Sequence, residues 1–459
     1  NTNNADAQYN KMINTPVSKL ISRLAIPTVI SMLVTSIYNM ADTFFVSHIS
    51  TQASAAVGIV FPIMSIIQAF GFTLGMGSGS LVSRKLGEKK NQEASIISST
   101  AFFSSLIIGA IIAFLGMMFS SFFMKLMGAS DSILPYANDY AQYIFWGAPI
   151  MCASFVLNNV LRSEGKALFS MIALSCGGII NIFLDPLLIF TFEMGIKGAA
   201  IATLISQTIS FLILLSWFLR KKAICQLNIK LLGNISVFFA VVTTGLPSLA
   251  RQGLSSIATI LLNRAASNYG DSAIAAMTIC TKIIMFIASI MIGIGQGFSP
   301  VAGYNYGAKR YDRVKQSYRF LVLCGMSIMA FFSFIGIIFA ENILRAFIDD
   351  ASAIQIGTVA LRCQICVLPL HAIIVGTNML MQSCGQIKSA TFLSCNRQGV
   401  YFIPAILILP SIFGLVGVEI SQAVADFLSV LTSIPYAVCF FNKLSKQSQI
   451  NSKNIQETL

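Results

Sequence analysis

The chain alternates between long apolar segments and short polar ones. Twelve apolar segments lie at residues 18–47, 54–83, 94–121, 132–162, 167–192, 196–219, 236–268, 272–301, 314–340, 353–384, 388–412 and 415–441. A helix needs about 20 mainly apolar residues to cross ~30 Å of hydrocarbon, so each segment predicts one membrane-spanning helix (spans 1 to 12). The longer segments are expected to tilt or to project beyond the bilayer. A β-barrel would need alternating segments of about ten residues, and the chain does not have this pattern.

Composition supports an all-α polytopic membrane protein. The 459 residues are 56% hydrophobic and 10% charged, with a mean hydropathy of +0.78. A soluble domain carries about 25% charged residues, so this chain has too few polar side chains to coat a core. The first residues, NTNNADAQYNKM, lack the short apolar stretch of a cleavable signal peptide. We therefore expect span 1 to act as an uncleaved signal anchor.

Basic residues are concentrated in alternate connections between the spans. A net charge of +13 would suggest nucleic acid as a partner of a soluble protein, but these residues are placed like those that orient a membrane protein. The positive-inside rule predicts that both termini are cytoplasmic, which requires an even number of spans. The basic connections carry Arg84, Lys85, Lys89, Lys90, Arg162, Lys166, Arg220, Lys221, Lys222, Lys230, Lys309, Arg310, Arg313, Lys315, Arg319, Lys388 and Arg397, whereas the opposite ones carry Lys125, Lys197 and Arg345.

The two halves of the chain repeat one another. AIPTVISMLV matches GLPSLARQGL with Pro27 aligned to Pro247, and GMGSGSLVSRKLGEKK matches GIGQGFSPVAGYNYGAKR. Each half has an even number of spans, so we expect parallel repeats that rock about a central site. The glycines of the second pair of motifs predict close helix approach and do not form a phosphate-binding loop, because no Gly-Lys-Ser/Thr follows. The predicted domains are an N-lobe (1–219), a linker (220–234) and a C-lobe (235–459).

Few carboxylates lie inside the spans, and a buried charge in a membrane is a functional candidate by default. Asp42, Asp185 and Asp426 are within spans, and Glu419 is near a span end. At 1.5 Å of rise per residue, Asp42 is ~33 Å and Asp185 ~27 Å from the cytoplasmic starts of their helices. Both therefore fall in the outer half of the N-lobe, where Thr203 also lies.

The sequence NIFLDPLLIF suggests the chemistry of that region. Asn181 and Asp185 are four residues apart on one helix face, as are Tyr38 and Asp42. Two carboxylates, an amide and a hydroxyl suit Na⁺, and they equally suit proton storage, because two buried carboxylates disfavour full ionisation. An alternative is two separate aspartates satisfied by backbone or water. Pro186 leaves the Ile182 carbonyl without its helical partner, so the helix can kink there.

The C-lobe differs in its polar residues. Arg251, Lys282 and Arg362 lie in or near its spans, and His371 lies in span 10. The 19 methionines and 35 phenylalanines mostly face lipid, and some could line an adaptable cavity for bulky cations. With two histidines and one CxxC pair in the chain, a structural zinc site is not expected.

These motifs together resemble the multidrug and toxic compound extrusion (MATE) family, nearest to its branches typified by MepA and DinF. The resemblance rests on AIPTVISMLVTSIYNMADTFFVSH, GMGSGSLVSRKLGEKK, LRSEGK, NIFLDPLLIF, GIKGAAIATLISQ and GIGQGFSPVAGYNYGAKR. It implies a V-shaped pair of six-helix bundles that exchanges drugs or metabolites for Na⁺ or H⁺. It also implies an N-lobe cation site on Asp42, Asn181, Asp185 and Thr203, with Tyr38, Tyr140 and Asn158 as hydrogen-bonding neighbours. Where other branches have C-lobe carboxylates, this chain has Ser255 and His371, which with Arg251 could line a C-lobe cavity.

The expected function is therefore cation-coupled efflux of drugs, organic cations or an endogenous metabolite across a bacterial cytoplasmic membrane. The expected partners are a small-molecule substrate and the bilayer, with a monomeric protein and no cofactor besides the coupling ion. A lipid-linked oligosaccharide flippase is the alternative, because Arg251 and Arg362 could form a cationic cavity. An enzyme is not expected, since no nucleophile with a base and no nucleotide-binding motif occurs.

Overall fold

The computed structural model describes residues 2–458, and the side chains of residues 5–50 and 52–447. Within this part of the chain every regular element is a helix. A short helix, Thr2–Asn14, precedes span 1, and another, Ser120–Leu126, lies between spans 3 and 4. The continuous spans are span 1 Val17–Ser47, span 2 Thr51–Gly87, span 3 Asn91–Met118, span 4 Leu134–Ser163, span 6 Gly195–Leu219, span 7 Ile235–Ser267, span 8 Asp271–Gly307, span 9 Tyr311–Arg345 and span 12 Leu415–Thr458.

Three spans change their helical geometry partway. Span 5 is an α-helix over Ala167–Pro186 and a π-helix over Leu187–Thr191. Span 10 consists of Ala351–Val367, a 3₁₀ turn at Leu368–Leu370, and His371–Ser383. Span 11 consists of Ile387–Cys395, a π-helix at Asn396–Phe402, and Ile403–Phe413. The predicted break at Pro186 is therefore a change to wider helical winding, which is frequent at functional sites.

The twelve predicted spans are confirmed as helices. In the described residues, 11 helices are long and apolar enough to cross a membrane. Span 7 falls outside that set although it has 33 residues, because Arg251 and Gln252 lie near its middle. The chain is thus a multi-pass membrane protein with the all-helical fold that the sequence predicts.

Most of the basic connections lie at one end of the spans, which we call the basic end. The internal repeat is visible in the turns at this end. Gly165 and Gly385 follow spans 4 and 10, and both have a φ of 78°. Lys89 and Lys309 follow spans 2 and 8, with φ of 60° and 58°. Left-handed residues that terminate helices thus recur in corresponding turns of the two halves.

The chain forms two compact units. One contains residues 26–249 with most of the N-terminal helix, and the other runs from Ala250 onwards with residues 13–25. The first unit has an apolar core around Tyr140, Ile144 and Phe145, and the second around Cys280, Leu361 and Phe402. The domain boundaries given above stay a prediction, because these units change over inside spans 1 and 7.

The glycine motif of span 2 brings helices into direct contact. A side chain at Gly75 would meet Phe155 and Asn159 of span 4, and one at Gly79 would meet Ser163 of the same span. A side chain at Gly77 would collide with the backbone of span 7 at Val241. The predicted close approach of helices is therefore present at this motif.

The linker between spans 6 and 7 is bound to the first unit by side chains. Both carboxylate oxygens of Glu164, in the turn after span 4, accept backbone N–H groups: Ile224 at 3.0 Å and Cys225 at 2.7 Å. Ser95 and Ser99 of span 3 accept the N–H groups of Gln226 and Asn228, each at 3.1 Å. We call this set of contacts the linker clasp.

Glu164 is fully buried in the linker clasp. Burial raises the pKa of its carboxyl to about 7, although the two N–H groups act in the opposite direction. The same environment raises the pKa of the Cys225 thiol well above its usual range, through burial and the adjacent Glu164 charge. The linker is therefore attached by a group that titrates near neutral pH.

Arg397 corrects one detail of the charge pattern. The charge pattern predicts that it belongs to a basic connection, but it lies inside the π-helix of span 11, where it is paired with Asp426 of span 12. Its side chain is 24% exposed and that of Asp426 is 10% exposed. A carboxylate 29 residues further along the chain makes this interior position tolerable for a guanidinium.

Candidate cation site

The predicted N-lobe residues come from four helices of the first unit. Tyr38 and Asp42 lie on span 1, Tyr140 on span 4, Asn181 and Asp185 on span 5, and Thr203 on span 6. Tyr140 and Asp185 are 0% exposed, Asn181 is 1% and Thr203 is 6% exposed. A polar group so far from solvent needs a partner within the protein or a bound ion or water.

Tyr140 connects the two predicted carboxylates. Its hydroxyl donates a hydrogen bond to Asp42 Oδ2 at 3.4 Å. The hydroxyl of Thr203 contacts that of Tyr140, which also lies within electrostatic range of Asp185. Asp42 lies within electrostatic range of Asp185. Tyr140 and this charge interaction therefore link the two acidic groups.

Asn181 and Asp185 contact each other along span 5. Asn181 Nδ2 donates to Asp185 Oδ1 at 3.3 Å, which fits their four-residue spacing. This bond orients the amide so that its oxygen is left to accept from another group.

Three buried oxygens of the site have no hydrogen-bond partner among the described residues: Asp42 Oδ1, Asn181 Oδ1 and Asp185 Oδ2. All three are acceptors contributed by the predicted ligand set. Oxygen donors of this kind are what hard cations require, and a proton on either carboxylate would satisfy them in part. The described residues hold no cluster of three or more His, Cys, Asp or Glu side chains, so any metal bound here would be one that accepts amide and hydroxyl oxygens.

Glycines bring span 5 close to its neighbours directly before the site. A side chain at Gly177 would collide with Ser206 and Ser210 of span 6. A side chain at Gly178 would meet Val34 and Tyr38 of span 1. These close approaches fix where Asn181 and Asp185, one and two turns later, stand relative to the neighbouring helices.

Gln207 is a site residue that the sequence reasoning missed. It lies one turn after Thr203 on span 6, and its Nε2 donates to Tyr38 Oη at 3.3 Å. The four-residue spacing from Thr203 is a signal that could have found it. It orients the tyrosine that stands one turn before Asp42.

Asn158 is not brought to the cluster. Its Oδ1 accepts a hydrogen bond from Ser170, near the basic end of span 5. Ser170 and Asn181 are separated by roughly 16 Å of helix. The neighbouring role that the resemblance implied for Asn158 stays a prediction without a contact to support it.

The predicted C-lobe residues do not form one cluster in the described contacts. Arg251 on span 7 has no hydrogen-bond or ion-pair partner in the described residues, and Ser255 accepts the Thr259 hydroxyl through its backbone carbonyl. His371 is 5% exposed and lies within electrostatic range of Arg397 and Asp426. The last two residues were not singled out together by the sequence analysis.

Comparisons with known proteins agree with the fold and with the internal repeat. The MatE family model matches residues 27–187 and again 247–407. The two matches have equal length and begin at Pro27 and Pro247, the prolines that the internal repeat aligns. Multidrug export protein MepA of Staphylococcus haemolyticus (strain JCSC1435) is 28% identical over 431 residues, covering 94% of this chain and 95% of the relative.

MepA of Staphylococcus aureus (strain MRSA252) is 26% identical over 431 residues, with the same coverage of 94% and 95%. Among solved structures, one described as the outward-facing conformation of a multidrug resistance MATE family transporter of the MOP superfamily is 26% identical. It has a TM-score of 0.91 and covers 95% of this chain and 98% of that chain. The fold and the order of the spans are therefore shared along nearly the whole chain.

Proposed function

Because the chain belongs to the MatE family of membrane transporters, we propose that it is a secondary active exporter. It moves drugs, organic cations or an endogenous metabolite outward in exchange for Na⁺ or H⁺ that enters through the site of Asp42 and Asp185. We further propose that the basic end of the spans is cytoplasmic, in a bacterial cytoplasmic membrane, with both termini on that side.

The observation that carries the proposal is the set of three unpartnered buried oxygens on Asp42, Asn181 and Asp185. An arrangement serving stability alone would satisfy these acceptors, because each one costs about 1–3 kcal/mol when left unbonded. These oxygens are satisfied while a transported ion or proton is bound, and they are unsatisfied after it has left. The site thus has the energy difference that coupled transport requires.

The chain's residues have distinct roles in this scheme. Asp42 and Asp185 supply the charge, and Tyr140 holds the Asp42 carboxylate through its hydroxyl. Asn181 and Thr203 add neutral oxygens, which lower the cost of removing water from an incoming cation. Loading neutralises repulsion between the two carboxylates, so spans 1 and 5 can approach more closely in the loaded state.

The π-helix after Pro186 is suited to a change of this kind. Phe192 N donates to Leu187 O at 3.0 Å, so the turn after the proline is closed by a five-residue step. The winding of span 5 can therefore change at this point without loss of the α-helix that carries Asn181. We propose that ion binding at Asp185 biases this turn.

The flippase alternative is less well supported. The curated relatives that match 94% of the chain are named as multidrug export proteins, and the features that suggested lipid-linked sugar were Arg251 and Arg362 alone. Arg362 is exposed and bonds only to a backbone carbonyl in the described residues, that of Ile337. The relatives are named as exporters, which agrees with a transporter and not an enzyme.

The test is ion-driven export from proteoliposomes under separately imposed Na⁺ and pH gradients. Asp42→Asn and Asp185→Asn are expected to abolish gradient-driven export of a fluorescent cation such as ethidium. The matched control is Asp139→Asn, which removes a carboxylate of the same lobe that is 39% exposed and paired with Lys197 at 3.3 Å. Undiminished export by both site variants would refute the site, and equal export without any gradient would refute coupling.

A further inference from the structure

An ion pair lies inside the second unit, away from the candidate cation site. Arg397 Nε donates to Asp426 Oδ1 at 2.6 Å and Arg397 Nη2 donates to Oδ2 at 3.2 Å. Gln422 Nε2 also donates to Asp426 Oδ1, at 2.9 Å. Arg397 lies ten residues after the start of span 11, and Asp426 lies eleven residues after the start of span 12. The two spans start at opposite faces of the membrane, so each residue is ~15 Å of helix from one face. The pair is therefore near the middle of the bilayer.

The internal repeat shows that this pair is an addition to the shared fold. Arg397 corresponds to Gly177 at an offset of 220, and Asp426 corresponds to Gln207 at the offset of 219 that aligns Gly414 with Gly195. In the first unit Gly177 is in close contact with Ser206 and Ser210 of span 6, and Gln207 bonds to Tyr38 of span 1. The same helix crossing can thus be built without charge. A buried ion pair is weak evidence for stability, since apolar replacements are often neutral or stabilising, so a structural role does not account for it.

The surroundings of the pair contain buried polar atoms to which a polar ligand could hydrogen-bond. Three buried side-chain atoms have no hydrogen-bond partner in the described part of the chain: His371 Nδ1, Asn396 Oδ1 and Gln398 Oε1. Their residues are 5%, 0% and 9% exposed, respectively. Asn396, Arg397 and Gln398 open the π-helix of span 11, and His371 follows the 3₁₀ turn of span 10. Irregular backbone at this depth occurs where it is buried in protein or lines a cavity.

Arg397 is accessible as well as paired. About a quarter of its side chain is exposed, and the described hydrogen bonds use only its Nε and Nη2 atoms. A guanidinium facing lipid at mid-depth would cost on the order of 3 kcal/mol or more. We therefore expect the exposed part of this side chain to face water or a solute and not lipid.

We infer that the Arg397–Asp426 pair is a binding site for the charged groups of zwitterionic substrates. A ligand carboxylate replaces Asp426 on the guanidinium, and a ligand cationic group takes the released Asp426 carboxylate. Every charge keeps an opposite partner, so the exchange adds no net charge to the membrane interior. A simple cation would instead leave Arg397 unpaired. This inference rests on the proposed export function and adds a substrate class to it.

The test compares two dyes with one xanthene core: a rhodamine with a free carboxylate, which is a zwitterion, and its methyl ester, which is a cation. Binding is measured by fluorescence polarisation to the full chain in neutral-lipid nanodiscs, without any gradient. We expect the wild type to bind the carboxyl dye at least fivefold more tightly than the ester. The double variant R397Q/D426N, which is neutral and close in volume, is expected to lower this ratio to near one.

The matched control is R345Q/E341Q, which removes an exposed ion pair of the same unit with a 2.7 Å contact and should leave the ratio unchanged. A wild-type ratio near one, or a preference that survives R397Q/D426N, would overturn the inference. Displacement of the carboxyl dye by short-chain phosphatidylglycerol, with no dye preference of its own, would assign the site to lipid and also overturn it. Because no gradient is applied, loss of the dye preference is distinguishable from failure of coupled export.

Discussion

Tyr140 Oη lies 3.4 Å from Asp42 Oδ2, and this hydrogen bond joins span 4 to span 1 across 98 residues of sequence. The tyrosine is completely buried, so its hydroxyl has few other groups to bond. The position of Asp42, and with it the coupling of the two carboxylates, therefore depends on one phenolic donor.

Tyr140→Phe is expected to weaken Na⁺ binding, or to tighten H⁺ binding, without unfolding the protein. The hydroxyl stabilises the Asp42 carboxylate by about 1.5–3 kcal/mol, so its loss should raise the half-maximal Na⁺ concentration about tenfold or more, whereas a coupling proton should bind at lower H⁺ concentration. The measurement is initial export rate against imposed Na⁺ or H⁺ gradient. Tyr143→Phe removes a hydroxyl from the same helix that has no described partner, and an equal effect there would contradict the assignment.

Gly177→Ala is expected to destabilise the protein. The added methyl group would collide with Ser206 and Ser210 of span 6, and forced overpacking costs about 1–3 kcal/mol. The thermal unfolding midpoint in detergent should fall. Gly58→Ala is the control, because a side chain at Gly58 of span 2 meets nothing within 4 Å and alanine favours a helix by up to about 1 kcal/mol. A lower midpoint for both variants would show that the crossing is not the cause.

Pro186→Ala is expected to separate ion binding from transport. Alanine restores an N–H that can bond to the Ile182 carbonyl, so span 5 should continue as an α-helix through the π-helical segment. Export should slow severalfold while ion-dependent thermal stabilisation persists. Pro62→Ala, at an exposed proline of span 2, should change neither. Loss of ion-dependent stabilisation in P186A would instead indicate that the proline shapes the site itself.

Stability should depend on pH through Glu164. Its pKa is raised from 4.5 to about 7 in the folded protein, so the native state binds this proton more tightly than the unfolded chain does. The free energy of unfolding therefore falls as pH rises from about 4.5 to about 7, by roughly 3 kcal/mol at most, and is constant above that range.

The check is the thermal midpoint of wild type and Glu164→Gln across that range of pH. Glutamine cannot titrate, so the decline with rising pH should be smaller in the variant. Glu193→Gln, at an exposed turn between spans 5 and 6, should follow the wild type. Parallel curves for wild type and E164Q would exclude Glu164 as the source.

The helices, and the proximity of the main candidate residues, could be predicted because each leaves a local signal. The length of an apolar segment predicts a span. The residue spacing and the distance from the start of each span predict that Asp42, Asn181 and Asp185 lie at a similar depth in the membrane. The signal is missing where the partner is distant in sequence. Arg397 looks like a residue of a basic connection unless Asp426 is known to face it, and Asn158 matches a family position yet bonds to Ser170.

Helical winding is also not determined locally. Pro186 predicts a break, but nothing in LLIFT specifies a π-helix in preference to a kinked α-helix. The second π-helix, at Asn396–Phe402, has no proline until Pro404, after it ends. Packing of neighbouring spans decides the winding there, and a single sequence carries no direct record of that packing.

The linker clasp has a consequence for a chain that is cut. Lys221 and Lys222 lie before the residues that Glu164, Ser95 and Ser99 bind, and both are exposed. A tryptic nick there would leave the segment of residues 224–228 covalently attached to the second fragment while it stays hydrogen-bonded to the first. The two fragments should therefore remain associated during size-exclusion chromatography and separate only when denaturant is added. The linker segment then acts as a peptide of the second fragment that is bound non-covalently to the first.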